Sequence, residues 1–138
     1  MKRYAAMIGT VLALGGGPAL AHHSATMFDQ TKRITVVGTV KEWQWTNPHA
    51  WLQLAVPDAN GKLVEQGFEV GSPNTMFRNG FRATSFKPGD TVTVVASPRR
   101  DGTVGGLLMQ AKTASGVWLQ WGAGADAAAA KAAGVPTN

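Results

Sequence analysis

The sequence of 138 residues contains no cysteine and only three histidines. The lack of cysteine excludes disulfides, zinc sites built from thiolates and catalysis by a thiol. Charged residues make up only 15% of the chain, whereas the hydrophobic share of 44% is ordinary for a folded domain. Seventeen glycines and seven prolines disfavour the interiors of long helices, so the composition argues against a helical bundle.

Sequence motifs of common enzyme classes are absent as well. The chain has no Gly-x-Ser-x-Gly, no phosphate-binding Walker loop and no His-Glu-x-x-His. Glu65 and Glu69 share one face of a predicted strand, but that spacing puts them about 13 Å apart. A paired acid and base need roughly 5–9.5 Å. We therefore predict no catalytic residue, and an enzyme such as a copper-dependent oxidase is the least supported function.

Residues 1–21 have the pattern of a bacterial secretory signal peptide. Lys2 and Arg3 precede a short apolar run, and the segment ends in the small-x-small site Ala19-Leu20-Ala21. The apolar run is shorter than the about 20 residues that span a bilayer. We expect a periplasmic or secreted protein with no membrane span after cleavage. Removal of Lys2 and Arg3 lowers the formal charge from +5 to +3, and export makes nucleic acid an improbable partner.

The predicted mature chain is mainly β. Alternation of apolar and polar residues predicts a strand from Ile34, and further strands are expected over 51–56, 63–70, 91–96 and 107–112. Between the third and fourth strands, Ser72 and Pro73 predict the start of a short helix over Thr75 to Arg78. Met76 and Phe77 are the candidates for its buried side.

This order of elements predicts a small five-stranded OB-fold-like barrel, and an open sandwich is the alternative. The barrel domain with its N-terminal arm is expected over residues 22–121. Trp118 and Trp121 are interpreted as a cover over the open edge of the barrel. Residues 122–138 form a low-complexity tail rich in alanine and glycine, to which we assign no chemistry.

Three motifs resemble a known family. The first is His22-His23-Ser24, directly after the signal peptide, and the second covers residues 42–51 (EWQWTNPHAW). Residues 71–74 (GSPN) and 87–90 (KPGD) match later landmarks. Over residues 22–112 the chain resembles the DUF6152 family of small exported bacterial proteins, although Ala25 stands where that family typically has phenylalanine. The resemblance implies a periplasmic location and a small β domain, without an established activity.

The three histidines suggest a metal site. Cleavage before His22 leaves an α-amine that chelates a metal together with the imidazole Nδ1 of the same residue, and His23 and His49 add two more imidazoles. Copper is the candidate cofactor. The alternative is that His22 and His23 belong to a solvated terminus and that His49 bonds only within its own turn. If the arm folds back along the first strand, His22 approaches His49. If the arm extends away, His49 is too far from His22 to share a metal ion with it.

Tryptophans surround the turn at Asn47-Pro48 and form the second candidate site. Trp43, Trp45, Asn47 and Trp51 are predicted to bind a sugar, a peptide or another flat ligand. Trp43 and Trp45 share parity on the strand, so their rings leave it on one face. The alternative is that these rings belong to the core. The sequence thus predicts a periplasmic module that binds a metal or a small ligand, and the alternative is a non-catalytic domain that holds an envelope protein through its Trp-rich turn.

Overall fold

A computed structural model describes residues 25–121, in which strands form a closed barrel. The elements after a 3-10 turn at Ala25–Met27 are β1 (Ile34–Gln44), β2 (Trp51–Pro57), β3 (Leu63–Glu69), α1 (Pro73–Arg78), β4 (Thr91–Pro98), β5 (Gly106–Lys112) and β6 (Trp118–Gln120). The expected helix therefore lies between the third and fourth strands. The predicted signal peptide and tail fall outside the described residues. Within 25–121, no helix is long and apolar enough to cross a membrane.

Closure of the barrel comes from the parallel pairing of β3 with β5. Antiparallel pairing gives the order β3-β2-β1-β4-β5, and Phe68 and Glu69 then pair with Gly106 and Leu107 to join the two ends. This arrangement is a five-stranded barrel, so the sequence prediction is confirmed and the open sandwich is not formed. The short strand β6 continues along β5 past the end of β3.

Two glycines allow the chain to approach its neighbours closely where the barrel closes. Gly105 has a φ of +97°, and a Cβ atom there would lie 2.3 Å from the carbonyl oxygen of Gly67. A Cβ atom at Gly106 would lie 2.3 Å from the carbonyl oxygen of Ser97. Since those obstacles are backbone atoms, a side chain at either position would force the strands apart.

The core lies inside the barrel and follows the alternation of each strand. Leu52, Leu54 and Val56 of β2 are buried, whereas the residues between them are only partly buried. Strand β5 is buried on both faces because a second, smaller cluster covers its outside. That cluster consists of Phe28, Leu107 and Met109, with Trp121 packed against it.

Trp121 closes the gap beyond the end of β3. Its backbone N–H donates to the carbonyl oxygen of Met109 at 2.8 Å, and its ring packs against both clusters. A Cβ atom at Gly71 would lie 2.5 Å from the indole Nε1, so the ring lies directly on that backbone. Trp121 thus covers the barrel edge as expected, while Trp118 is partly exposed on β6 with the Lys112 ammonium 6.0 Å from its ring.

The short helix begins as predicted but buries one side chain fewer. Ser72 is the N-cap and its hydroxyl accepts from the Thr75 N–H at 3.5 Å. Met76 is fully buried, whereas Phe77 is 56% exposed, so the prediction that both are buried is wrong. A six-residue helix presents only one narrow face to the barrel, and Phe77 lies about 100° around the axis from Met76. The Arg82 guanidinium covers the Phe77 ring instead, 3.9 Å from its centroid.

The hairpin between β2 and β3 contains the pair Asn60-Gly61. A two-residue turn built on Asn-Gly has positive φ at both residues, but only Gly61 does here, at +79°. The Asp58 carboxylate explains the difference, because it accepts from the backbone N–H of Asn60 at 2.8 Å and of Lys62 at 2.9 Å. Those bonds fix a longer loop in which a single glycine suffices.

Candidate functional site

The N-terminal arm pairs with the end of β4. Phe28 forms an antiparallel bridge with Arg99, and the Asp29 N–H donates to the carbonyl oxygen of Pro98 at 2.8 Å. The described part of the arm therefore does not fold back along β1, which was one of the two expected courses. It runs instead beside the end of β4, the strand that precedes the closing pair β3 and β5. His22 and His23 lie outside the described residues.

His49 is bound to a buried carboxylate. Its Nδ1 lies 2.6 Å from Oε1 of Glu69, whose side chain is 8% exposed, whereas the His49 side chain is 38% exposed. The bond therefore crosses from the β1–β2 loop to β3, and the alternative that His49 bonds only within its own turn is wrong. It engages Nδ1 and leaves Nε2 as the ring nitrogen that can bind another group.

Backbone pairing explains why these two side chains meet. The ladder between β2 and β3 continues beyond both strands, because Val70 N–H donates to the Ala50 carbonyl at 3.0 Å and Ala50 N–H to the Gly71 carbonyl at 3.1 Å. Trp51 pairs with Glu69, so His49, two residues before Trp51, lies diagonally across from Glu69 on the same face of the ladder. The sequence analysis did not identify Glu69 as a partner of His49. Counting back along the hairpin pairs Glu69 with Trp51, which was the available signal.

The described barrel supplies one imidazole and no complete metal site. Between residues 25 and 121, no group of three or more histidine, aspartate or glutamate side chains could hold an ion. Of the predicted metal ligands, His49 is therefore the one whose position is known. A metal bound there would need further ligands from other parts of the chain.

Trp43 and Trp45 pack against the core and remain partly exposed. Their ring centroids are 5.4 Å apart, and both rings contact the main core cluster. Phe86 meets the Trp43 ring edge-on at 5.1 Å, and the indole Nε1 donates to the carbonyl oxygen of Arg82 at 3.0 Å. These contacts fix Trp43 at the end of the barrel. They account for both rings as structural elements.

Trp51 and Asn47 are placed differently from the other two predicted ligand-binding residues. Asn47 is exposed and is joined to Pro48 by a cis peptide bond. Trp51 begins β2 on the face opposite to Leu52, and it is partly exposed. It pairs with Gln44 of β1 on one side and with Glu69 of β3 on the other. The four predicted residues are thus divided between the core, the loop and the outer surface.

Comparison with known proteins identifies the family. A family model described as a family of unknown function, DUF6152, matches residues 10–111. The chain belongs to the DUF6152 family. The matched range covers the strands β1 to β4 and nearly all of β5 of this DUF6152 protein, together with His49 and Glu69, and it confirms the resemblance seen in the sequence. No curated protein and no solved structure matches the chain.

Two acidic turns support the course of the arm in the DUF6152 barrel. The Thr31 hydroxyl donates to Asp29 Oδ1 at 2.5 Å, and this bond is the main reason that the pKa of Asp29 is lowered. In the β4–β5 loop the Thr103 hydroxyl donates to Asp101 Oδ1 at 2.7 Å and likewise lowers the pKa of Asp101. Both carboxylates therefore remain ionised and fix the loops that flank Phe28 and Arg99.

Proposed function

We propose that this protein is a periplasmic metal-binding module, with copper as the candidate metal. In this proposal Nε2 of His49 is the ligand supplied by the barrel, and His22 and His23 at the mature N-terminus supply the others. The observation that carries the proposal is the bond between His49 Nδ1 and the buried Glu69 carboxylate. The proposal assigns binding and no reaction.

A carboxylate on the second nitrogen is the usual support of a histidine that binds a metal. Such a carboxylate fixes the tautomer and the orientation of the ring and raises the basicity of the nitrogen that faces the metal. Glu69 suits this role because its burial at the end of β3 limits its movement. The His49 side chain is 38% exposed, so the ring is not enclosed by the barrel.

The distance between the arm and His49 is compatible with a shared ion. From Phe28 the path to Glu69 crosses β4 and β5, through Arg99, Pro98 and Gly106. Three strand spacings amount to about 15 Å along the curved sheet. Six residues connect His22 to Phe28, but the 3-10 turn at Ala25–Met27 rises only about 2 Å per residue, so the connection spans at most about 16 Å. This length about equals the path to the end of β3.

The donor atoms favour copper over harder ions. A chain without cysteine offers no thiolate, and the proposed site consists of imidazole nitrogens and the terminal amine. Nitrogen donors of this kind suit divalent copper, nickel and zinc, and copper binds most strongly in that series. Magnesium and calcium prefer sets of oxygen atoms and are not expected here.

Titration with copper tests the proposal. The processed chain beginning at His22 is compared with a chain that carries one extra residue before His22, which removes the amine chelate. We expect one copper ion per processed chain and a lower affinity for the extended chain. Alanine at His49 should weaken binding further, and Glu69→Gln should weaken it by roughly 10–100-fold, as is usual for such supporting carboxylates.

The matched control for Glu69→Gln is Glu65→Gln, the same change at an exposed position of the same strand. It should leave the copper affinity unchanged. Equal affinity of the processed and extended chains, or no effect of His49→Ala, would contradict the proposal. Either result would favour the alternative, a structural domain that holds an envelope partner.

A further inference from the structure

The ring of Trp51 lies on the outside of the barrel. The side chains of Leu52, Leu54 and Val56 point into the core, so Trp51 and Gln53 point outward. Among the described residues, Trp51 belongs to neither hydrophobic cluster, in contrast to Trp43, Trp45 and Trp121. A partly exposed aromatic ring at the start of β2, on the outer surface between β1 and β3, therefore has no contact with either core cluster that explains it.

Planar polar groups surround this ring on both neighbouring strands. One cross-strand row consists of Gln44, Trp51 and Glu69. The next row consists of Glu42, Gln53 and Gly67. Pairing across the strands places the members of each row about 5 Å apart on one face.

The amides in these rows are positioned by contacts. Gln44 Nε2 donates to Glu42 Oε2 at 2.9 Å, which holds both groups beside the ring. Gly67 has no side chain, and a Cβ atom there would lie 2.8 Å from Oε1 of Gln53. The Gln53 amide thus lies across β3 in the space that a larger residue would fill. The face presents one aromatic ring flanked by two amides and the Glu42 carboxylate, while Glu69 at its edge is buried and bound to His49.

Two loops border this face near the end of β3. The β1–β2 loop ends at His49 beside Trp51, and the β4–β5 loop reaches β3 where Gly105 meets the backbone of Gly67. In OB-fold barrels the face of strands two and three, between the corresponding two loops, is where extended ligands bind. The similarity in fold indicates where a ligand would bind, and the side chains on this face determine which kind of ligand it is.

We propose that the outer face around Trp51 binds a neutral oligosaccharide. The apolar C–H face of a pyranose ring stacks on an indole, while amides and carboxylates bond its hydroxyl groups in their own plane. The two rows contain two carboxylates and neither lysine nor arginine. Nearby, the ammonium of Lys41 is paired with Glu65. An anionic ligand such as nucleic acid or a polyuronate would meet like charge on this face.

This site does not depend on the proposed metal. Trp51, Gln44, Glu42 and Gln53 are not metal ligands in the proposal above, and Glu69 is the one residue that the two proposals share. Carbohydrate binding should therefore persist in EDTA and in a chain whose N-terminal histidines are replaced by alanine. A protein that does not bind carbohydrate could still bind copper, and a protein that does not bind copper could still bind carbohydrate.

Calorimetric titration of the whole processed chain in EDTA tests the site. The probes are two neutral hexasaccharides, cellohexaose and the hexamer of N-acetylglucosamine, with hexagalacturonate and a single-stranded oligothymidylate as anionic comparators. We expect one of the neutral hexasaccharides to bind, and Trp51→Ala to weaken its binding by on the order of tenfold or more. The anionic probes should not bind through Trp51.

Two further variants make the result decisive. Gln44→Ala removes an amide of the same row without removing an aromatic ring, and it should weaken binding while the protein remains folded by its thermal melt. Trp118→Ala removes a partly exposed tryptophan from β6, away from this face, and should leave binding unchanged. The proposal is wrong if neither neutral hexasaccharide binds, if folded Trp51→Ala and Gln44→Ala bind as the natural protein does, or if an anionic probe binds in preference through Trp51.

Discussion

Replacing His49 by alanine should destabilise the fold as well as weaken metal binding. The substitution leaves the carboxylate of Glu69, 6% exposed, without its partner at 2.6 Å. A hydrogen bond to a charged group contributes about 1.5–3 kcal/mol, and breaking a fully buried ion pair costs about 3–5 kcal/mol. Since the His49 side chain is 38% exposed, water can enter the space it leaves, so the lower range applies. We expect a loss of about 1.5–3 kcal/mol.

Urea denaturation at pH 7 measures this loss directly, and the melting temperature should fall by roughly 6–24 °C. Adding Glu69→Gln to His49→Ala should restore part of the stability, because an uncharged amide is less costly to bury than a carboxylate. The exposed pair of Lys41 and Glu65 is the control, and Lys41→Ala should cost at most about 1 kcal/mol. A loss from His49→Ala no larger than that from Lys41→Ala would refute the reasoning.

Three further predictions concern the parts of the fold that position the site. Gly105→Ala should cost at least about 2 kcal/mol in urea denaturation, because its φ is +97° and the new Cβ would collide with backbone of β3. Met76→Ala should cost about 2–5 kcal/mol in the same assay and Phe77→Ala much less, since only Met76 is buried. Thr31→Val should raise the pKa of Asp29 toward its ordinary 3.8 in a carboxyl NMR titration. Because the pKa of Asp29 is lowered in the folded protein, its ionised carboxylate stabilises the fold above pH 3.8, and this stabilisation is lost as the pH falls. The difference in stability between the natural protein and Thr31→Val should therefore vanish in acid.

Local patterns were sufficient to predict the barrel. The alternation from Ile34 and the cap at Ser72 are signals within short segments, and both appear in the structure. Such signals act over a few residues and do not depend on the rest of the fold.

Contacts between distant segments were not predictable in the same way. The bond of His49 to Glu69 joins residues that are far apart in sequence, and it depends on the register of β2 against β3. The exposure of Phe77 depends on Arg82, which covers its ring from outside the helix. Parity predicted that the rings of Trp43 and Trp45 leave one face, but Phe86 and the core determine that this face is inside the barrel.

The central claim is that His49 is a copper ligand supplied by the barrel. Electron paramagnetic resonance of the processed chain loaded with one equivalent of divalent copper tests it most directly, because nitrogen couplings count the imidazoles bound to the metal. We predict that His49→Ala removes the coupling of one imidazole, while Glu65→Gln leaves the spectrum unchanged. A spectrum of His49→Ala identical to that of the natural protein would contradict the claim.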